Sequence, residues 1–115
     1  MNVSCYIAEL IFRIDNQKNP PLIRFEKQIR LLEAGSEKEA YQLALIAASK
    51  ELDKHQDRFP YQWEFAGIEL LHLTDHPEAV KEGCLPIAHP TNVQEYMYHL
   101  RQRNASLQSK LALSA

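Results

Sequence analysis

Two long alternating runs, separated by a turn-forming stretch, constrain the fold of this chain more than any other feature. VSCYIAELIFRI, residues 3–14, sets Tyr6, Ala8, Leu10, Phe12 and Ile14 on one side of an extended chain, since successive side chains of a strand point to opposite faces. The opposite side is mixed, with Cys5, Ile7 and Ile11 interleaved with Glu9 and Arg13. LIRFEKQIRLLEA, residues 22–34, then opposes Ile23, Phe25, Ile29 and Leu31 to Arg24, Glu26, Gln28 and Arg30. Between them DNQKNPP, residues 15–21, carries the Asp, Asn and Pro of a short loop. Two long strands joined this closely are expected to pair antiparallel.

Gly35 ends the second run, and Ser36 with Glu39 forms a capping box, in which two backbone donors of a helix start find side-chain partners. The helix so started is expected to reach about Lys54. Ala40, Leu43, Ala44, Ala47 and Ala48 follow the i, i+3, i+4 spacing of one face, and so many alanines let the helix axis lie close to a sheet. Its polar tail, KELDKHQDRFP, stops at Pro60 and leads to a third strand.

That strand, YQWEFAGIELLHL at 61–73, alternates cleanly through Tyr61, Trp63 and Phe65 and then blurs after Gly67. A glycine inside a strand marks a bulge or a close backbone approach, and a bulge changes which parity faces the core. TDHPEAVKEG reads as a short capped helix with Pro77 at its first position and Glu78 at the positive end of its dipole. CLPIAHP suits a short edge strand limited by Pro86. A second helix follows, started by Thr91 and Gln94 as a capping box, with Val93, Tyr96, Met97, Leu100, Leu107 and Leu111 at helical spacing. Its last residues, QSKLALSA, carry weak helix signals.

At 115 residues the chain is the size of one domain, so residues 1–115 are read as a single α+β unit. It comprises an antiparallel-type three-stranded sheet in the order 2-1-3, a possible short fourth strand, the alanine-rich helix and the C-terminal helix. A net charge of −2 supplies no positive field for duplex phosphates, which argues against nucleic acid as a partner. Neither an export signal nor an apolar run of about 18 residues is present, so a membrane is not expected either. The two cysteines, Cys5 and Cys84, form no CxxC pair and read as free thiols of a reducing cytoplasm.

Taken in order, AELIFRI, FEKQIRLLEAGSEKEA, WEFAGI and ELLHL resemble the bacterial family catalogued as domain of unknown function 4288 over roughly residues 5 to 74. The shared positions are Phe25, Arg30, Leu31, Ala34, Ala40, Trp63, Phe65 and Gly67, and the chain departs from the pattern after residue 74. The resemblance implies a packed α+β fold and supplies no mechanism.

Histidine supplies the sharpest chemical candidates. His72, Asp75, His76 and His89 bear metal-ligating or proton-transferring groups, but a zinc or iron site would have to draw them from a strand, a turn and a loop. Along an extended chain the Cα atoms of His72 and His76 stand about 13 Å apart, and capping with solvation accounts for these residues without a ligand. Either cysteine would need a lowered thiol pKa to act as a nucleophile. Glu9, Arg13, Arg24, Glu26, Arg30 and Glu64 could share a charged sheet face, and His99, Arg101, Arg103 and Lys110, with Tyr96 and Tyr98, could offer RNA a basic helix. The reading is a non-enzymatic bacterial cytoplasmic protein that needs no cofactor and acts through protein contacts as a homodimer. The interface expected for it is Val93, Tyr96, Met97, Leu100 and Leu107 with the second sheet face. The opposing reading is a metal-dependent enzyme or small-molecule binder built on His72, His76 and His89.

Overall fold

A computed structural model of the protein describes residues 3–18, 22–87 and 92–113. Strands β1 (Ser4–Asn16) and β2 (Leu22–Ala34) pair antiparallel along their whole length, from Ser4 opposite Ala34 to Asn16 opposite Leu22. Helix α1 (Glu37–Lys54) crosses to β3 (Tyr61–Thr74), which lies antiparallel to β1 on its other side. Strand β4 (Gly83–Ile87) adds to β2, giving the order β3-β1-β2-β4, and α2 (Val93–Leu113) follows. The fold is therefore α+β, a four-stranded antiparallel sheet with two helices, and the short fourth strand is real.

Local chemistry explains the boundaries. Ser36 Oγ accepts from the amide of Glu39 at 3.1 Å, and Glu39 Oε2 accepts in return from the amide of Gly35 at 3.2 Å. The box thus closes as the spacing predicts, except that the glutamate reaches one residue further back. At the second helix the cap falls at Asn92, whose Oδ1 accepts from the Glu95 amide at 3.0 Å, while Thr91 lies outside the described residues. The segment expected as a short helix after β3 is a 3₁₀ turn of three residues, Pro77–Ala79. Its N-cap His76 makes no side-chain cap bond, and without one the proline only nucleates a turn.

The first core lies between the sheet and α1. Tyr6, Ala8, Leu10 and Phe12 meet Ala40, Ala44 and Ala48, all buried, with Phe12 tilted against Trp63 and Phe65 at 5.7 and 5.5 Å. The second core lies on the other face, where Ile11 and Phe25 pack on Met97 and Leu100 of α2. That face is covered by the chain's own helix. The stripe read as a dimer seam is accordingly an internal one: Met97 is 6% and Leu100 3% exposed, Val93 and Tyr96 pack around them, and Leu107 packs against the first core.

Gly67 carries the predicted irregularity. The register against β1 shifts twice, between Glu9 and Leu10 and between Ile11 and Phe12, so the inward parity runs Trp63, Phe65, then Ile68, then Leu71. Gly67 has φ +145°, in the region where only glycine is unstrained. Opposite the bulge, Asn104 of α2 pairs with the outer edge of β3 as a strand would. Its Oδ1 accepts from Ile68 N at 2.9 Å, and its Nδ2 donates to Ile68 O at 3.0 Å and to Leu100 O at 2.7 Å. Arg103 adds a bond to Glu69 O at 2.9 Å. This blunts an edge that would otherwise offer free donors and acceptors, and Pro86 does the same on β4.

Beyond Asn104, helix α2 reaches α1: Gln108 Nε2 donates to Tyr41 Oη at 2.8 Å, and Lys110 Nζ meets Glu37 Oε1 at 3.2 Å. These contacts, with buried Leu111, hold the helix through Leu113 despite its weak terminal signals. No helix among the described residues is long and apolar enough to cross a membrane.

Candidate functional site

Polar residues of β2 turn toward α1, where sequence alternation alone would send them to solvent. Arg30 stands opposite Ala8 and Gln28 opposite Leu10, on the face that α1 covers. Both meet Glu51, which continues the Ala40, Ala44, Ala48 stripe and is 8% exposed. Arg30 Nη2 lies 3.1 Å from Glu51 Oε2 and donates to Gln28 Oε1 at 2.9 Å. Lys54 Nζ lies 3.6 Å from the same carboxylate oxygen, and His55 Nε2 donates to Glu51 Oε1 at 3.1 Å. Burial raises the Glu51 pKa, but the bonds from Gln28 and His55 and the charges of Lys54 and Arg30 outweigh it, so the net shift is downward.

The carboxylate in turn fixes an aromatic pair. With Glu51 an ionised acceptor, His55 carries its hydrogen on Nε2, and its ring lies flat on Trp63 with centroids 3.6 Å apart and planes 3° apart. Beside this stack opens a cleft of about 630 Å³, floored by His55 and Trp63 and rimmed by the loop that joins α1 to β3. Phe59 and Tyr61 on the rim are 75% and 43% exposed, and Asp57 adopts a left-handed φ of 59°. Among the described residues no buried side-chain donor or acceptor lacks a partner, so the charged cluster is satisfied within the chain.

The residues singled out in the sequence do not form this site. His72 is exposed on β3, opposite Ile7 on the second sheet face, and Asp75 follows the strand. His76, also exposed, has Nδ1 3.4 Å from Glu78 Oε1. His89 lies outside the described residues. Among those described, no group of three or more His, Cys, Asp or Glu side chains is arranged to hold a metal. Cys84 borders the Glu51 cluster, and there desolvation together with Glu26 and Glu51 pushes its thiol pKa up against Arg30 and Gln28, the opposite of what a nucleophile needs.

The charged residues proposed to share one sheet face are divided between two. Arg24, Glu26 and Arg30 stand opposite Ile14, Phe12 and Ala8 on the α1 side, whereas Glu9, Arg13 and Glu64 lie on the other. There Lys27 bridges Glu9 at 3.1 Å and Glu69 at 3.8 Å. The basic helix is likewise dispersed, with Arg103 on β3, Lys110 on Glu37, and Tyr96 edge-on to Phe25 at 4.7 Å.

Glu51, His55 and the cleft are absent from the sequence reading. A signal for them exists: the helical spacing that carries Ala40, Ala44 and Ala48 continues by a step of three to Glu51 and a step of four to His55. Comparison with family models, curated proteins and solved structures finds no match to this chain.

Proposed function

We propose that the protein is non-enzymatic and acts through contacts between polypeptide chains, its first partner being a second copy of itself. One observation carries the reading. On the outer side of α1, Leu45 and Ile46 are 38% and 50% exposed, next to a largely apolar groove of about 370 Å³ between α1 and the end of α2. Tyr41, Leu45, Gln108, Leu111 and Ala112 line that groove. Projecting apolar side chains and a hole for them thus share one surface, which is what a two-fold interface requires, because each copy presents the same patch to the other. Lys38, Gln42 and the Lys110–Glu37 pair would form its polar rim.

The C-terminal helix keeps a part in this dimer, through its last turns. The proposal extends to a bacterial cytoplasmic setting and to the domain of unknown function 4288 family, supported by the two free cysteines and by the ββαβ order over residues 5–74.

Sedimentation equilibrium at tens of micromolar should return the mass of two chains. Leu45→Glu with Ile46→Glu, both at exposed positions, should return one chain with an unchanged circular dichroism spectrum. A wild-type mass of one chain would sink the reading.

A further inference from the structure

The cleft at the other end of α1 has features of a binding site that the dimer does not use. Its volume of about 630 Å³ falls within the roughly 300 to 1,000 Å³ of small-molecule sites. Its floor is rigid, since Glu51 holds His55 flat against Trp63. Its rim is open: Phe59 and Tyr61 leave apolar ring surface in water, and the side chains of Ser49, Asp53, Gln56, Asp57 and Arg58 make no hydrogen bond to any described residue.

Charge selects the ligand. The lining carries one guanidinium, Arg58, and two carboxylates, Asp53 and Asp57, a net negative charge that disfavours a phosphate or a nucleotide. Asp53, His55 and Asp57 are not placed to hold one divalent cation together, for no metal-holding group occurs among the described residues. What fits is a neutral molecule with an apolar face and many hydroxyls. A pyranose ring presents a face of C–H groups to aromatic rings, while each of its hydroxyls both donates and accepts. Carboxylates accept, the guanidinium donates, and the Gln56 amide and Ser49 hydroxyl do both. Addition of a peptide along β3 is blocked at Ile68 and Glu69, and a peptide enters the test as a control for the part of that strand beside the cleft.

We propose that this cleft binds a neutral oligosaccharide, held by Phe59 and Tyr61 on its ring faces and by Asp53, Asp57 and Arg58 on its hydroxyls.

Trp63 is the sole tryptophan and forms the floor, so its emission reports occupancy directly. The full chain should be titrated with maltotetraose, cellotetraose and chitotetraose, and in parallel with inorganic phosphate and a tetraalanine peptide. At least one of the sugars should give a saturable change with Kd below about 1 mM. Phe59→Ala and Arg58→Ala should each weaken that binding about tenfold or more, with dichroism unchanged, and Leu85→Ala on β4 should leave it as it was. The proposal is overturned if none of the sugars saturates by about 10 mM, if Phe59→Ala and Arg58→Ala bind as wild type, or if phosphate or the peptide binds in their place. Sedimentation of the same samples reads the dimer separately, so either proposal can fail without the other.

Discussion

Gly67→Val is expected to destabilise the protein by about 2 to 4 kcal/mol, from backbone strain plus lost buried hydrogen bonds. A Cβ at this position would stand 2.7 Å from Asn104 Nδ2, and φ +145° disfavours any L side chain. Asn104 is the tip of a side chain and could swing away, but doing so would break its bonds to Ile68 N, Ile68 O and Leu100 O together. Urea denaturation checks the magnitude, and a second background separates the causes. In an Asn104→Ala chain the steric part disappears and the φ strain stays, so the cost of Gly67→Val should fall by about 1 kcal/mol or more. An unchanged midpoint for Gly67→Val would refute the bulge as a constraint.

Glu51→Gln should destabilise the protein by about 1 to 3 kcal/mol at neutral pH. That is less than a wholly buried pair would lose, because the Arg30 side chain is 34% exposed and Lys54 is 67% exposed. The pH dependence supplies a stricter check. The folded-state pKa of Glu51 lies below its ordinary 4.5, so the unfolded chain takes up the proton first as pH falls. Its contribution is therefore complete above pH 4.5 and is lost as pH drops through the lower folded-state value. The gap between wild type and Glu51→Gln should be widest near neutrality and should close in acid. A gap that stays constant from pH 7 to pH 3 would mean that the carboxylate is not held ionised by its neighbours.

The elements that could be read from the sequence are those whose pattern is local. The β1–β2 hairpin, the Ser36–Glu39 box, the alanine stripe and the Gly67 bulge each rest on spacing within a dozen residues, and each occurs where the spacing places it. Two readings failed for a shared reason. The alternation of β2 assigns Gln28 and Arg30 to the polar side without saying whether that side meets water, and here it meets the one acidic residue on the inner face of α1. The apolar stripe of α2 requires a cover without naming it, and Ile11 and Phe25 supply it from the same chain. Likewise the cleft depends on His55 and Trp63 meeting across the turn into β3, and no periodicity records which rings stack. The histidines drew attention by their chemistry, but His72 and His76 are exposed residues at the far end of β3.

Helix α2 has a consequence for how the molecule opens. It starts over one side of the sheet at Met97 and Leu100, turns past the rim at Asn104, and finishes against the opposite layer at Leu107, Gln108 and Lys110. Lifting it would uncover the second core and strip Leu107 from the margin of the first, and it must first release the Asn104 amide from Ile68. The chain is thus closed like a book held by a clasp across the fore-edge: exchange of the Ile68 amide requires release of the clasp, and the second core opens with it.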